Sequence, residues 1–164
     1  MKKSIAHAAL LATLLAAPAA FAQTCAAPGP TITGPGTFNA TCTSADEFNS
    51  ICSGSVTAVG TSAVYPVQVG NPNNFSITVT PSVNTYDHAI FLIGPNSCLQ
   101  TTPCVAEDDA APAGQPETIN IPANTPSGTY YLVIDSTASA VGCVPSSIVV
   151  TGTVPVSLKN FSIE

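Results

Sequence analysis

The chain has 164 residues, of which 7% are charged, and its formal net charge at pH 7 is −6. The length suits one domain. So acidic a chain lacks the basic patch that nucleic acids and anionic membranes attract, which excludes both as partners but leaves cations such as calcium open.

Residues 1–22 have the parts of a secretory signal peptide. Lys2 and Lys3 give a positive start, residues 8–17 form an uncharged apolar run, and Ala22 ends a small-x-small cleavage pattern. Cleavage after Ala22 would leave residues 23–164 with nine acids and one base, a charge of 1 − 9 = −8. Because a membrane span needs about 20 apolar residues, we expect no span and a secreted or periplasmic protein.

The cysteines all follow the predicted cleavage site: Cys25, Cys42, Cys52, Cys98, Cys104 and Cys143. An even number in an exported chain predicts disulfides, for which six cysteines allow 15 pairings. A zinc site is disfavoured, because no C-x-x-C pair occurs. The favoured pair is Cys98–Cys104, which closes a short loop between two predicted strands. Cys42–Cys52 is a second local pair, and Cys25–Cys143 then joins the two ends.

The predicted elements begin with an arm at residues 23–51, rich in Pro and Gly and containing cysteines, in which residues 44–48 suit one helical turn. A β-sandwich domain at residues 52–164 follows. Its predicted strands are residues 55–59, 64–69, 75–80, 88–93, 105–106, 117–121, 128–135, 147–151 and 154–158, with Phe161 and Ile163 extending the last pairing. Short strands between turn residues predict an antiparallel, jelly-roll-like β-sandwich of about eight strands.

Four of these strands carry positional information. Residues 88–93 and 128–135 are apolar on both faces, which is typical of central strands. Residues 75–80 alternate between apolar and polar side chains, as a strand with one buried face does. Pro66 lacks a backbone donor and favours an edge position or a bulge.

Four pieces occur in one order: residues 75–79, residues 86–92, the cysteine-bounded loop that ends in Glu107-Asp108-Asp109, and residues 127–135. Together they resemble the bacterial pre-peptidase C-terminal domain. The resemblance covers roughly residues 52–151. It implies a small β-sandwich that is usually appended to secreted proteases and has no catalytic role. Family members include modules that bind collagen or other polymers, and some bind calcium. Here the domain follows only a signal peptide and an arm, so no peptidase is implied.

Five acids form the candidate metal site, and calcium is the cofactor considered for it: Asp87, Glu107, Asp108, Asp109 and Asp135. Calcium takes six to eight oxygen ligands, often loop carboxylates. The acids lie at strand ends or in a predicted acidic turn, and a sandwich can gather some of them at one end. The alternative is that they are turn acids, which bond backbone N–H groups.

Catalytic alternatives are weak. Asp87-His88 suggests part of a Ser-His-Asp triad, but neighbouring strand residues point to opposite faces, and no Gly-x-Ser-x-Gly elbow occurs. We therefore predict that the protein is not an enzyme. Tyr65, Tyr86 and the outward member of Tyr130 and Tyr131 form either a binding patch or, as we favour, core and rim packing.

These observations predict an exported, non-catalytic and monomeric binding module for an extracellular or periplasmic protein, polymer or surface. The alternative is a structural or interaction protein, such as an adhesin or a partner of a secreted peptidase, with the arm packed against another chain. A small hydrolase is the least favoured of the three hypotheses.

Overall fold

The computed structural model of the chain describes residues 24–41, 46–50, 52–54, 57–71, 73–137 and 142–153. The predicted signal peptide and the predicted strand at residues 154–158 lie outside these residues, as do Phe161 and Ile163. The described chain folds into eight strands and one short 3-10 helix at Cys52–Gly54. The strands are β1 (Gly36–Ala40), β2 (Ala63–Val69), β3 (Asn74–Pro81), β4 (His88–Ile93), β5 (Cys104–Asp108), β6 (Glu117–Ile121), β7 (Gly128–Ser136) and β8 (Ser146–Thr153).

The strands form two antiparallel sheets of four. Sheet I has the order β1-β8-β3-β6, and sheet II has the order β2-β7-β4-β5. Each connection crosses from one sheet to the other, except the β4–β5 connection, which stays within sheet II. This order is that of an eight-stranded jelly roll. The predicted all-β, jelly-roll-like sandwich is confirmed.

The main core fills the space between the two sheets. β3 contributes Phe75, Ile77 and Val79, all buried, while its Ser76 and Thr78 face outward. β3 lies between β8 and β6 in sheet I. Its side chains therefore alternate between the core and the outer face of that sheet. The alternation predicted for this segment is confirmed.

The two central strands of sheet II, β4 and β7, are buried on both faces over most of their length. β7 lies between β2 and β4, as predicted for a central strand. Its Leu132 and Ile134 face sheet I, whereas Val133 faces away and joins a second apolar cluster with Phe91. This second cluster explains why β4 and β7 read as apolar on both sides.

The N-terminal arm supplies the cover for the outer face of sheet II. Its residues 46–50, together with 52–54 and 57–62, form a strap, which places Phe48 and Ala58 in the second cluster. Further upstream, Ile32 bonds β2 by donating its N–H to the Pro66 carbonyl at 2.8 Å and accepting from the Gln68 N–H at 2.9 Å. Pro66 itself lies on the edge strand β2, as its missing donor predicts.

The disulfides differ from the predicted pairs. Cys98 bonds Cys25, with Cα atoms 5.5 Å apart, and Cys104 bonds Cys52, with Cα atoms 5.1 Å apart. Cys98–Cys104, Cys42–Cys52 and Cys25–Cys143 were therefore wrong. Cys143 is disulfide-bonded to a residue outside the described part of the chain.

The physical reason is that Cys98 and Cys104, on either side of the loop between β4 and β5, face the start of the arm and the strap, respectively, rather than each other. All four bonded cysteines pack around the second cluster. The Cys52–Cys104 bond therefore holds the strap against sheet II, and the Cys25–Cys98 bond holds the start of the arm there. These bonds span 73 and 52 residues. Closing long loops constrains the unfolded chain more than closing the short predicted one.

Three segments depart from the predicted elements. Gly36–Ala40 was expected to be arm but is strand β1, whose residues pair with β8 from Gly36–Val150 to Ala40–Ser146. Residues 57–59 of the predicted strand 55–59 have no regular structure, and neither have residues 46–48 of the predicted helical turn. Glu107 and Asp108 were expected in a turn but end β5, and Asp109 follows it.

Candidate functional site

Two carboxyl groups meet where the edge strands of the two sheets approach each other. Asp108 ends β5, Glu117 begins β6, and their side chains hydrogen-bond each other. The Glu117 carboxyl also accepts the Ala111 N–H at 2.9 Å, and Asp108 Oδ2 accepts the Thr118 N–H at 2.7 Å. The pair therefore joins sheet I to sheet II. Glu117 was not among the predicted site residues.

The electrostatics of this pair follow from its burial. Glu117 is 1% exposed, and burial, followed by its hydrogen bond to Asp108, raises its pKa to about 7. Asp109 lies beside the pair, and its pKa is raised by burial and then by the charges of Asp87, Asp108 and Glu107. We call the group formed by the following residues the acidic end: Asp87, Glu107, Asp108, Asp109 and Glu117.

Asp135 lies apart from the acidic end, on the outer face of sheet II. It is fully buried, pairs with Ala89 of β4 in the strand register, and accepts the Ser62 hydroxyl at 2.6 Å through Oδ2. Its other oxygen has no hydrogen-bond partner in the described part of the chain. Burial raises the pKa of Asp135 to about 6, against the opposing effect of the Ser62 hydrogen bond. Asp135 therefore belongs to the buried layer beneath the strap.

The predicted calcium ligands do not converge in this arrangement. Among the described residues, one set of three acidic, histidine or cysteine side chains has ligand atoms within 4.8 Å of one another, namely Cys52, Cys104 and Glu107. Its two sulfurs are joined in a disulfide and are not metal ligands. Calcium needs six to eight oxygens around one point, and no three of the five predicted acids have ligand atoms within 4.8 Å of one another. Calcium at these acids stays a hypothesis, which thermal melting tests.

His88 is part of the core. It is 1% exposed, its Nε2 lies 3.3 Å from the Val79 carbonyl oxygen, and its ring stacks on Tyr86 at 5.6 Å. Burial lowers its pKa. Asp87 instead accepts the Thr137 hydroxyl at 3.2 Å. The Asp87-His88 pair is thus divided between two hydrogen-bond networks, and His88 is directed at a main-chain carbonyl.

The tyrosines are mostly packing groups. Tyr65, Tyr86 and Tyr130 are each at most 1% exposed, and the Tyr65 hydroxyl accepts the Thr41 N–H at 2.8 Å. Tyr131 is partly exposed beside the second cluster. Core and rim packing, the favoured alternative, is confirmed for the three buried tyrosines.

Two of the depressions on the surface of the described residues are shallow and open. One, of about 250 Å³, lies beside the Cys25–Cys98 bond and includes Phe48 and Leu99, which is 64% exposed. The other, of about 370 Å³, lies at one end of sheet I, between β1, β3 and the start of β8. Neither is a deep enclosed pocket, so both suit contact with a surface or polymer better than enclosure of a small molecule.

The described residues form a disulfide-bonded jelly-roll module. Its buried titratable groups, Glu117, Asp135 and His88, are held by packing and by hydrogen bonds within the chain. In the described part of the chain, no helix has both the length and the apolar character to cross a membrane.

The 1.0 Å crystal structure of the pre-peptidase C-terminal domain of collagenase from Bacillus anthracis is similar to this structure. The TM-score is 0.50, the identity is 18%, and the similarity covers 75% of this chain and 95% of that domain. The predicted fold resemblance to this family is thereby confirmed at the level of structure. No protein-family model matches the sequence, and no curated protein matches it.

Proposed function

We propose that the chain is an exported, non-catalytic module that binds a protein, a polymer or a surface outside the cytoplasm. The observation that carries this proposal is the jelly-roll fold, similar to a domain that accompanies a collagenase. Its one described histidine, His88, is buried and bonded to a main-chain carbonyl, which supports the absence of hydrolytic chemistry.

Export is supported by two kinds of observation. The pattern of residues 1–22 is that of a signal peptide. The described cysteines are all oxidised, as is expected in the periplasm or outside the cell. We take cleavage after Ala22 as part of the proposal.

The alternative is a structural or interaction protein, either an adhesin or a partner of a secreted peptidase. The arm was the segment expected to contact another chain in that case. Much of it is instead used within the chain, because β1 completes sheet I and Phe48 covers sheet II. This use of the arm favours a self-contained binding module over the alternative.

The test uses the purified exported protein. It is incubated with casein, collagen and neutral glycans, and soluble products are measured. It is then sedimented with insoluble collagen and with insoluble polysaccharides. We expect no products and retention on at least one solid polymer. Hydrolysis of any of these substrates would overturn the proposal, and co-purification with a secreted peptidase would favour the alternative.

A further inference from the structure

Three metal-ligating side chains meet where the strap is tied to sheet II. The Sγ atoms of Cys52 and Cys104 and a carboxylate oxygen of Glu107 all lie within 4.8 Å of one another. In the oxidised protein the two sulfurs are bonded to each other and cannot hold a metal. Reduction changes the chemistry of the group, because two thiols beside a carboxylate are a ligand set for a thiophilic cation.

A β-bulge places two of these side chains on the same face of β5. In a regular strand, residues three apart point to opposite faces. Cys104 pairs with Ile93, and Glu107 pairs with Phe91. Ile93 and Phe91 are two residues apart on β4, so one extra residue lies on β5 between the two pairs. That extra residue brings Cys104 and Glu107 to one face, and their two partners belong to the second cluster on the outer side of sheet II.

The third member of the group, Cys52, has a strained backbone. It begins the 3-10 helix Cys52–Gly54 with a φ of 42°, in the left-handed region. In the described part of the chain, Asn96 is the other non-glycine residue with a positive φ. Asn tolerates that region through its short polar side chain, whereas Cys rarely adopts it unless its surroundings hold it there. The covalent tie to Cys104 does so, and its reduction frees Cys52 to move.

The group fits a tetrahedral cation once the two sulfurs separate. Zinc bonds of about 2.3 Å to sulfur and about 2.0–2.2 Å to oxygen place the ligand atoms about 3.6–3.8 Å apart. The carboxylate oxygen already lies within 4.8 Å of both sulfurs. Cys52 supplies the movement, because it lies in a short helix outside both sheets. Both cysteines are partly exposed and Glu107 is exposed, so water reaches the fourth position.

We propose that Cys52, Cys104 and Glu107 form a redox-gated site for a thiophilic divalent cation such as zinc. A dithiol reductant transfers two electrons and two protons to the Cys52–Cys104 bond, which breaks into two thiols while the reductant becomes a disulfide. The cation then displaces both thiol protons to solvent and is held by two thiolates and the Glu107 carboxylate. The metal replaces the disulfide as the tie between the strap and sheet II. Because the two cysteines are 52 residues apart, no short cysteine motif marks the site.

The test is thermal melting of the full exported protein, oxidised and after reduction with a phosphine, with and without equimolar zinc chloride. We expect zinc to raise the melting temperature of the reduced protein, because it binds the folded state. The oxidised protein should melt at the same temperature with and without zinc. Cadmium chloride is then titrated into the reduced protein, and the ultraviolet absorption of the cadmium–thiolate bonds reports its affinity.

Two variants separate this site from the other thiols that reduction frees. Glu107→Gln should bind cadmium about tenfold more weakly or worse, because it removes a ligand. Glu47→Gln is its matched control, since Glu47 accepts the N–H of Cys25 beside the other disulfide, and it should bind like wild type. Cys52→Ser should abolish the zinc-dependent rise in melting temperature, whereas Cys98→Ser, which removes one thiol of the other pair, should keep it.

Three results would overturn the inference. The first is a reduced protein whose melting temperature zinc does not raise, or that has no cooperative transition even with zinc. The second is an equal loss of the rise in Cys52→Ser and Cys98→Ser, which would mean that thiols bind the metal without regard to position. The third is wild-type cadmium affinity in Glu107→Gln. Each of them leaves the proposed binding function standing, because that function is tested on the oxidised protein.

Discussion

Phe48 of the strap and Phe91 of β4 pack edge to face, with ring centroids 5.5 Å apart and planes at 80°. Both rings are buried on the outer face of sheet II. This contact joins a segment that lacks regular structure to the centre of the sheet. It indicates that the strap is part of the folded domain, held by burial as well as by its disulfide from Cys52 to Cys104.

Replacing Phe48 with Ala tests the contribution of that burial. Loss of a buried Phe side chain typically costs about 3–5 kcal/mol of unfolding free energy. We expect a loss in that range, measured by urea denaturation of the oxidised protein. Leu99→Ala is the control, because Leu99 is 64% exposed, and it should change the stability little. Equal effects of the two substitutions would mean that the strap does not cover a core.

Glu117→Gln tests the acidic end through its dependence on pH. The pKa of Glu117 rises from 4.5 to about 7 on folding, so the folded protein retains a proton that the unfolded chain loses. Stability contributed by this group is therefore present at acidic pH and is lost as the pH rises from about 4.5 through 7. We expect melting temperatures of wild type to fall across that window and those of the variant to fall less.

The control for this measurement is Asn120→Ser, because Asn120 is an exposed, uncharged residue on the same strand, β6. That variant should keep the wild-type slope of melting temperature against pH. A Glu117→Gln profile as steep as wild type would show that the pKa of Glu117 is not raised on folding.

Asp135→Asn tests the buried carboxyl beneath the strap. Its pKa rises from 3.8 to about 6 on folding, so the charged form is disfavoured and stability falls as the pH rises through 6. Asn keeps an oxygen to accept the Ser62 hydroxyl. We expect the variant to melt higher than wild type at pH 8 and close to it at pH 4. A lower melting temperature at pH 8 than wild type would contradict this and show that the charged Asp135 carboxylate stabilises the folded protein.

Calcium is tested by thermal melting in chelator and in millimolar calcium at equal ionic strength. A ligand that binds only the folded state raises the melting temperature. Because the carboxylate oxygens do not converge, we expect no difference. A rise that disappears in Asp109→Asn would contradict this expectation and place calcium at the acidic end.

Much of the sandwich could be predicted because its strands carry strong local patterns. β3 alternates, β4 and β7 are apolar on both faces, and Pro66 marks an edge. β1 carries little such signal, since its apolar residues are Phe38 and Ala40 and its partner, β8, is distant in sequence. Its structure depends on the open edge of β8 rather than on its own composition.

The candidate sites depend on packing between distant segments and were harder to predict. Glu117 lies on the same side of β6 as Ile119 and Ile121. The alternation of the strand therefore indicated that Glu117 is buried, although a carboxyl group is not expected in a core. Asp135 ends the apolar run of β7, but it is buried because the strap covers it. The disulfides depend on the path of the arm and the strap across sheet II, which no local sequence pattern indicates.

The most direct test of the account is the disulfide map of the exported protein. Lys159 is the one basic residue after the predicted cleavage site, so pepsin is used instead of trypsin, and it can cut beside Leu99, between Cys98 and Cys104. We expect an intact mass that begins at Gln23, with peptides that link Cys25 to Cys98 and Cys52 to Cys104. A peptide linking Cys98 to Cys104, or free thiols at these positions, would contradict both the strap and the fold described for it.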